Sequence, residues 1–335
     1  MLECLSIFRE KLDSVMCESI GKRIILYGYG RTGRFLEWYA DYYHSIKMDY
    51  IITSDWSSAL PYSLPYFRDS LFDFNYSDVK DAIIWLALPG IEEAKIKCEK
   101  NGYIFYDFAE LIYGENLIEE AEEFESVYKK RKTGIHDVQF MEYLEAFYKC
   151  NFVTAVDKEY LAGGGIHSYA ITTQAEIFPM LDKCHVNIGA NDAIFDFGCG
   201  KGGAMLSFLD YGFEKVGGVE FTKELCDEAV NNFELLQITS NSKYSVEIIN
   251  NDAAKVTMEL DSYNWFYFFD PFEKEVFEKV VENIYDSFQR KRRKITIINI
   301  NPRYYRVFEK YSIFKLTNQF CASTRQKVVN IYIAQ

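Results

Sequence analysis

Four acidic residues stand where apolar runs of the chain break into loops. Asp196 follows Ala193-Ile194-Phe195 and opens into Gly198-Cys199-Gly200-Lys201-Gly202-Gly203. Glu220 ends the run Lys215–Val219, Asp252 follows Tyr244–Asn250, and Asp270 follows Phe266–Phe269. A carboxylate beside a loop without Cβ atoms suits a ligand that carries hydroxyls or positive charge and lies close to the backbone. The spacing here is G-x-G-x-G, not the G-x-G-x-x-G of dinucleotide loops. The acid that opens it disfavours a pyrophosphate, which prefers the positive end of a helix. Each signal is weak alone, because glycine turns are widespread and an acid after a strand often caps the next helix. Four acid-tipped apolar runs in order, separated by helical spacers, are a much stronger signal.

This pattern resembles the class I S-adenosylmethionine-dependent methyltransferases over roughly the second half of the chain. The resemblance implies S-adenosyl-L-methionine as cofactor. Asp196, Gly198, Gly200 and Gly202 would form its first motif. Glu220 would hold the ribose hydroxyls, Phe221 the adenine face, and Asp252 with Ala253 the adenine amino group. Asp270-Pro271-Phe272 is similar to the [DN]-P-P-[FY] signature of amino-group methyltransferases, with Phe272 replacing the second proline. Three roles stay open for Asp270: hydrogen-bond acceptor for the nucleophile, general base, or strand cap. Its neighbours Phe268, Phe269 and Phe272 are expected to desolvate it and raise its pKa.

The stretch Leu161–Gln174 carries Gly163-Gly164-Gly165, then His167, Tyr169, Thr172 and Thr173. In the resembled family this segment closes over the methionine end of the cofactor. That makes His167 and Tyr169 candidate catalytic groups and Thr173 a candidate cofactor contact. An ordinary polar loop accounts for His167 equally well.

The first third of the chain must position a second glycine turn. Lys22–Gly30 reads as a strand running into the turn, and Gly28-Tyr29-Gly30-Arg31-Thr32-Gly33 is a full G-x-G-x-x-G. A helix is expected from Arg34 to Ile46, then a strand from Met48 to Ser54 that ends at Asp55, near the spacing of a ribose-binding acid. Ala82–Leu88 and Tyr103–Phe108 add strands around a helix at Ile91–Lys100. This half resembles the nucleotide-binding N-terminal domains of bacterial sugar- and polysaccharide-modifying enzymes. The resemblance implies a nucleotide or NAD at Gly28, Gly30, Gly33 and Asp55. A turn that kept its shape and lost its ligand is the competing reading.

The fold class expected is therefore α/β, with two Rossmann-like domains. The C-terminal one should be a seven-stranded sheet closed by an antiparallel hairpin at Phe314–Phe320 and Lys327–Ile333. The expected divisions are residues 1–114, a helical connector over 115–160 that includes a helix at Asp137–Lys149, and residues 161–335.

Composition narrows the function. The 335 residues are 49% hydrophobic and 26% charged, which suits two folded cores. A net charge of −13 disfavours nucleic acid as a partner. The one basic run, Arg290–Lys294, reads as a solvated cap at a helix end. Eight cysteines without a C-x-x-C pair suggest reduced thiols in the cytoplasm. Cys199 reads as a small filler rather than a nucleophile. No metal site and no membrane span are expected, and self-association stays open. The expected activity is N- or O-methylation of a small-molecule, nucleotide-linked or glycan acceptor. A lysine-type protein methyltransferase and a non-catalytic, cofactor-binding regulator are the alternatives.

Overall fold

A computed structural model describes residues 2–52, 66–67, 81–87, 92–113, 139–153, 169, 171–184, 188–238, 243–322 and 327–335. The chain divides into two compact units, Glu3–Phe147 and Tyr148–Gln335, the latter together with the first two residues.

The first unit is built on five strands, β1 (Arg23–Tyr27), β2 (Tyr50–Ile52), β3 (Tyr66–Phe67), β4 (Ala82–Leu86) and β5 (Ile104–Asp107). They lie in the order β3-β2-β1-β4-β5, and every pairing is parallel. Their interior runs, such as Ile24-Ile25-Leu26 and Ile83-Ile84-Trp85, are fully apolar because both faces of a parallel sheet are covered. Helix α1 (Ser6–Ser19) precedes β1 and α2 (Arg31–His44) follows it. Helix α2 starts at Arg31, three residues before the position expected from the sequence, because Gly30 caps it and Gly33 lies inside its first turn. A Cβ at Gly33 would sit 2.1 Å from the carbonyl oxygen of Gly28. Helices α3 (Glu92–Asn101) and α4 (Phe108–Tyr113) flank β5. Helix α5 (Gln139–Tyr148), expected within the connector, packs Phe140 edge-on against Phe8 and Phe35 in this unit.

The second unit holds seven strands: β6 (Ala193–Phe197), β7 (Lys215–Glu220), β8 (Ser245–Asn250), β9 (Trp265–Phe269), β10 (Ile295–Ile300), β11 (Lys315–Cys321) and β12 (Val328–Ala334). The order is β11-β12-β10-β9-β6-β7-β8. The pairings from β10 to β8 are parallel, and β12 is antiparallel to both β10 and β11. This is a Rossmann-type sheet closed by an antiparallel hairpin, as the sequence leads one to expect.

Helices α6 (Gln174–Asp182), α7 (Gly203–Tyr211), α8 (Lys223–Leu235) and α9 (Lys274–Arg290) belong to this unit. Helix α9 buries Phe277, Val280, Val281, Ile284 and Phe288, the stripe of a 3.6-residue period, in a core with Phe266, Phe268 and Ile297. The basic run at its end is committed to structure. Arg290 forms two hydrogen bonds to the carboxylate of Asp261, at 2.8 and 3.0 Å. Arg293 donates to the carbonyls of Leu260 and Tyr263 at 2.8 and 2.6 Å. Both side chains hold the segment before β9, which is more than the solvated cap expected. All eight cysteines are free thiols. Among the described residues, no helix is long and apolar enough to cross a membrane.

Candidate active site

The order of the seven strands reverses at β6, which has β7 on one side and β9 on the other. Crevices at the carboxyl ends of such strands are where open α/β sheets take ligands. A cavity of about 610 Å³ lies at this edge. Its wall contains Asp196, Gly198, Gly200, Glu220, Phe221, Asp252, Ala253 and Asp270. The four strand-tip acids are thus brought to one place, although 74 residues separate the first from the last (270 − 196).

The glycine turn after β6 is held from both sides. The amides of Gly198 and Cys199 donate to the carbonyl of Val219 at 2.9 and 3.1 Å. Glu220 accepts from the Gly200 amide at 3.0 Å and from the Thr222 amide at 2.8 Å. Gly200 has φ +53°, and a Cβ there would meet the Tyr169 ring at 2.6 Å. Position 200 therefore demands glycine for both backbone and space. Asn250 donates to the carbonyls of Glu220 and Phe221 at 3.0 and 3.1 Å and so fixes the tip of β7.

Burial sets the electrostatics of the floor. Asp196 is buried, and desolvation followed by repulsion from Glu220 pushes its pKa up to about 8. Glu220 is shifted upward too, chiefly by desolvation, against the pull of its backbone donors. Two neighbouring carboxylates kept from water both favour the protonated form more than free carboxylates do. The Cys199 thiol is pushed well above its ordinary value by burial and by the same carboxylates. A Cβ at Gly218 would sit 2.6 Å from that of Cys199. Cys199 is packing, as its place in the turn suggests.

The other expected site residues fall in different places. Gly202 does not face the cavity; a Cβ there would meet the Phe233 ring at 2.7 Å, so its φ of +86° serves the helix entry. Thr173 is fully buried and caps α6, with its amide 3.4 Å from the Glu176 carboxylate; Thr172 lines the cavity instead. Tyr169 does line it, but its hydroxyl donates to the carbonyl of Phe152 at 2.5 Å, which suits a wall rather than a catalyst. Asp252 lines the cavity while one oxygen caps the following 3₁₀ turn through the Ala254 amide, at 2.9 Å. His167, Asp55 and the Gly163–Gly165 stretch lie outside the described residues.

Asp270 differs most from expectation. It was expected as a carboxylate desolvated by phenylalanines. One of its oxygens accepts from Arg303 Nε at 2.5 Å and the other from Asn301 Nδ2 at 2.6 Å. Both of its oxygens are thus partnered. Asp270 and Asn301 have positive φ, +46° and +52°, and each precedes a proline. Arg303 also approaches Glu273 at 3.8 Å, and Glu273 accepts from the Tyr304 hydroxyl at 2.8 Å. The tips of β9 and β10 are therefore fastened together. Pro271 lies 3.0 Å from where a Cβ of Gly198 would be, so the two loops touch.

Sequence reasoning missed this fastening. A signal existed, because parallel pairing of Ile300 with Phe269 places Asn301 opposite Asp270. It also missed Asn232, a buried residue of α8. Asn232 donates to the carbonyls of Asn151 and Lys201 at 3.3 and 3.1 Å and accepts from the Asn151 amide at 2.7 Å. Lys201 completes the knot, with Nζ 3.0 Å from Asn151 Oδ1.

No family model matches the sequence, and no curated protein matches it either. Among solved structures, the chain is similar to a SAM dependent methyltransferase from Aquifex aeolicus, with 10% identity and a TM-score of 0.38 over 48% of this chain and 92% of that one. It is similar to an RNA methyltransferase from Salinibacter ruber in complex with S-adenosyl-L-homocysteine, at 14% identity and TM-score 0.35 over 49% and 94%. A ribosomal protein L11 methylase from Lactobacillus delbrueckii subsp. bulgaricus matches at 13% and 0.35 over 51% and 81%. At these values the fold assignment rests on the strand order itself.

Proposed function

We propose that the C-terminal unit binds S-adenosylmethionine and transfers its methyl group to a nitrogen or oxygen of a small-molecule, nucleotide-linked or glycan acceptor. The observation that carries this reading is the buried carboxylate pair, Asp196 and Glu220, on the floor of a strand-edge cavity. Uncompensated buried charge is expensive. A ligand that brings hydroxyls and positive charge relieves it, and this cofactor has a ribose diol, an ammonium and a sulfonium. The donor set fits it along its length. Glu220 would accept from the ribose hydroxyls, and Asp252 and the exposed ring of Phe221 would flank the adenine. The turn at Gly198 and Gly200 leaves room for close backbone approach.

The cofactor supplies a methyl carbon activated by the charge on its sulfur, so the chain's task is mainly positioning. The fastened tips of β9 and β10 form the acceptor side. There Asp270 orients Arg303 and Asn301, and Pro271 ties that side to the glycine turn.

Calorimetric titration with S-adenosylhomocysteine tests the cofactor reading, and absence of binding would sink it. Methyl-labelled cofactor added to cell extract, split into macromolecular and small-molecule fractions, tests the acceptor class. Label is expected in small molecules and lost in Glu220→Ala. Label confined to macromolecules indicates the protein methyltransferase. Binding without label indicates a regulator.

A further inference from the structure

The acidic cavity has one cation in its described wall. Asp196, Glu220, Asp252, Asp270 and Glu273 line it, and Lys327 is the single lysine or arginine among the described lining residues. Lys327 stands just before β12, whose start lies at the carboxyl edge of the parallel strands because β12 runs antiparallel. The Asn301 amide donates to the carbonyl of the next residue, Val328, at 2.8 Å. This places Lys327 beside the tips of β10 and β9, at the far end of the sheet from Glu220 and Asp252.

Its charge is not consumed by its neighbours. Asp270 already holds Arg303 and Asn301, and Glu273 holds Tyr304. Among the described residues no carboxylate comes within 4 Å of Lys327. Lys327 also lines a second, small cavity, together with Thr172, Glu176, Met180, Phe269, Ile300 and Ala322. Lys327 therefore borders both hollows, and among the described residues its ammonium is uncommitted.

We propose that Lys327 is the specificity residue of the acceptor site, and that it anchors an anionic group, a carboxylate or phosphate, carried by the molecule that is methylated. This rests on the methyltransferase reading and narrows it. An acceptor with an anion several bonds from its nucleophile enters a cavity whose other charges, among the described residues, are negative, and of these residues only Lys327 attracts it. Neutral and cationic acceptors gain nothing from Lys327. The cofactor's own carboxylate is the rival source of the same chemistry.

The test uses the full chain, S-adenosylhomocysteine, and inorganic phosphate and acetate as probes. Wild type and Lys327→Met are first titrated with S-adenosylhomocysteine, and affinities within twofold are expected. The saturated proteins are then titrated with phosphate and with acetate. Wild type should bind at least one of them, Lys327→Met at least tenfold more weakly, and Lys327→Arg should recover the binding. If Lys327→Met loses S-adenosylhomocysteine and Lys327→Arg restores it, the lysine serves the cofactor carboxylate and the proposal fails. If the cofactor product binds but neither anion depends on Lys327, the proposal fails while the cofactor reading stands. If wild type binds no S-adenosylhomocysteine, both fall.

Discussion

The molecule contains the same backbone device twice and surrounds it differently. Each unit has a first parallel strand, β1 or β6, that ends in a glycine turn and runs into a helix. Each turn sits where the strand order reverses, between β2 and β4 in one sheet and between β7 and β9 in the other. Around the first turn stand Thr32 and Arg34, with Tyr29 hydrogen-bonded to Glu37. Around the second stand Asp196 and Glu220, both buried. Topology decides where a ligand can lie, and the charge at the strand tips decides its sign. Among the described residues, the positive end of a helix is the main field at the first turn, and carboxylates override it at the second.

The sharpest way to test this contrast is to damage one turn at a time. Gly33→Ala places a methyl group 2.1 Å from the Gly28 carbonyl oxygen, and backbone yields less readily than a side chain. Destabilisation of the first unit at or above about 3 kcal/mol is expected, the upper end for overpacking. Hydrogen exchange resolved by segment is the readout, because two units need not melt as one. Residues of the second sheet should keep their protection, and S-adenosylhomocysteine should still bind. Loss of protection in both sheets would show that the units do not fold independently.

Next in size is Glu220→Ala. It removes the carboxylate that would hold the ribose and leaves the Gly200 and Thr222 amides without their acceptor. Losing charged hydrogen bonds costs about 1.5–3 kcal/mol, so calorimetry should show S-adenosylhomocysteine weakened roughly 10- to 150-fold. Unchanged affinity would remove Glu220 from the site and with it the contrast in charge.

A milder effect comes from pH. The Asp196 carboxyl titrates near its ordinary value when unfolded and at about 8 when folded. Between those values the folded state holds a proton that the unfolded state has lost. The stability of the ligand-free unit therefore falls as pH rises from about 4 to about 8. Binding of a cationic ligand runs the other way, because it needs the ionised form. Affinity for S-adenosylmethionine should rise by up to about tenfold per pH unit below 8 and level off above it. Proton release, read from the dependence of binding enthalpy on buffer, should accompany it. Affinity that is flat from pH 6 to 8 would mean that Asp196 stays ionised without the ligand.

What the sequence revealed divides along physical lines. Strand β9 is a continuous apolar run followed by Asp270, β6 is apolar apart from Asp196 near its end, and these acids mark the edge at which the strands meet. Those features are local, and they are legible. The fate of Asp270 was not, because its partners Arg303 and Asn301 lie 33 and 31 residues away. Its phenylalanine neighbours are adjacent in sequence, whereas its ion-pair partner comes from the loop after β10. Gly202 was misassigned for a related reason. All three turn glycines have positive φ, but only contact with Phe233 distinguishes the one that serves packing. The helix start at Arg31 was missed because Gly33 looks like a helix breaker unless its close approach to Gly28 is known.

The smallest expected effect is the most discriminating for the first turn. Gly30 has φ −77°, open to any residue, and a Cβ there would meet nothing within 4 Å. Its neighbours in the motif differ, since Gly28 has φ +98° and Gly33 has no space. The fold therefore needs glycine at 28 and 33 and not at 30. If glycine at position 30 matters at all, it matters to something that approaches the backbone from outside. Gly30→Ala should lower the protection of the first unit by no more than about 1 kcal/mol, the cost of a poorer helix N-cap. It should also leave S-adenosylhomocysteine affinity within twofold. Titration with NAD and ADP then separates the remaining readings. Binding by wild type that weakens in Gly30→Ala marks a working nucleotide turn, and no binding by wild type marks a turn kept for its shape. Loss of S-adenosylhomocysteine affinity in this variant would break the contrast, because the two turns would then be parts of one site.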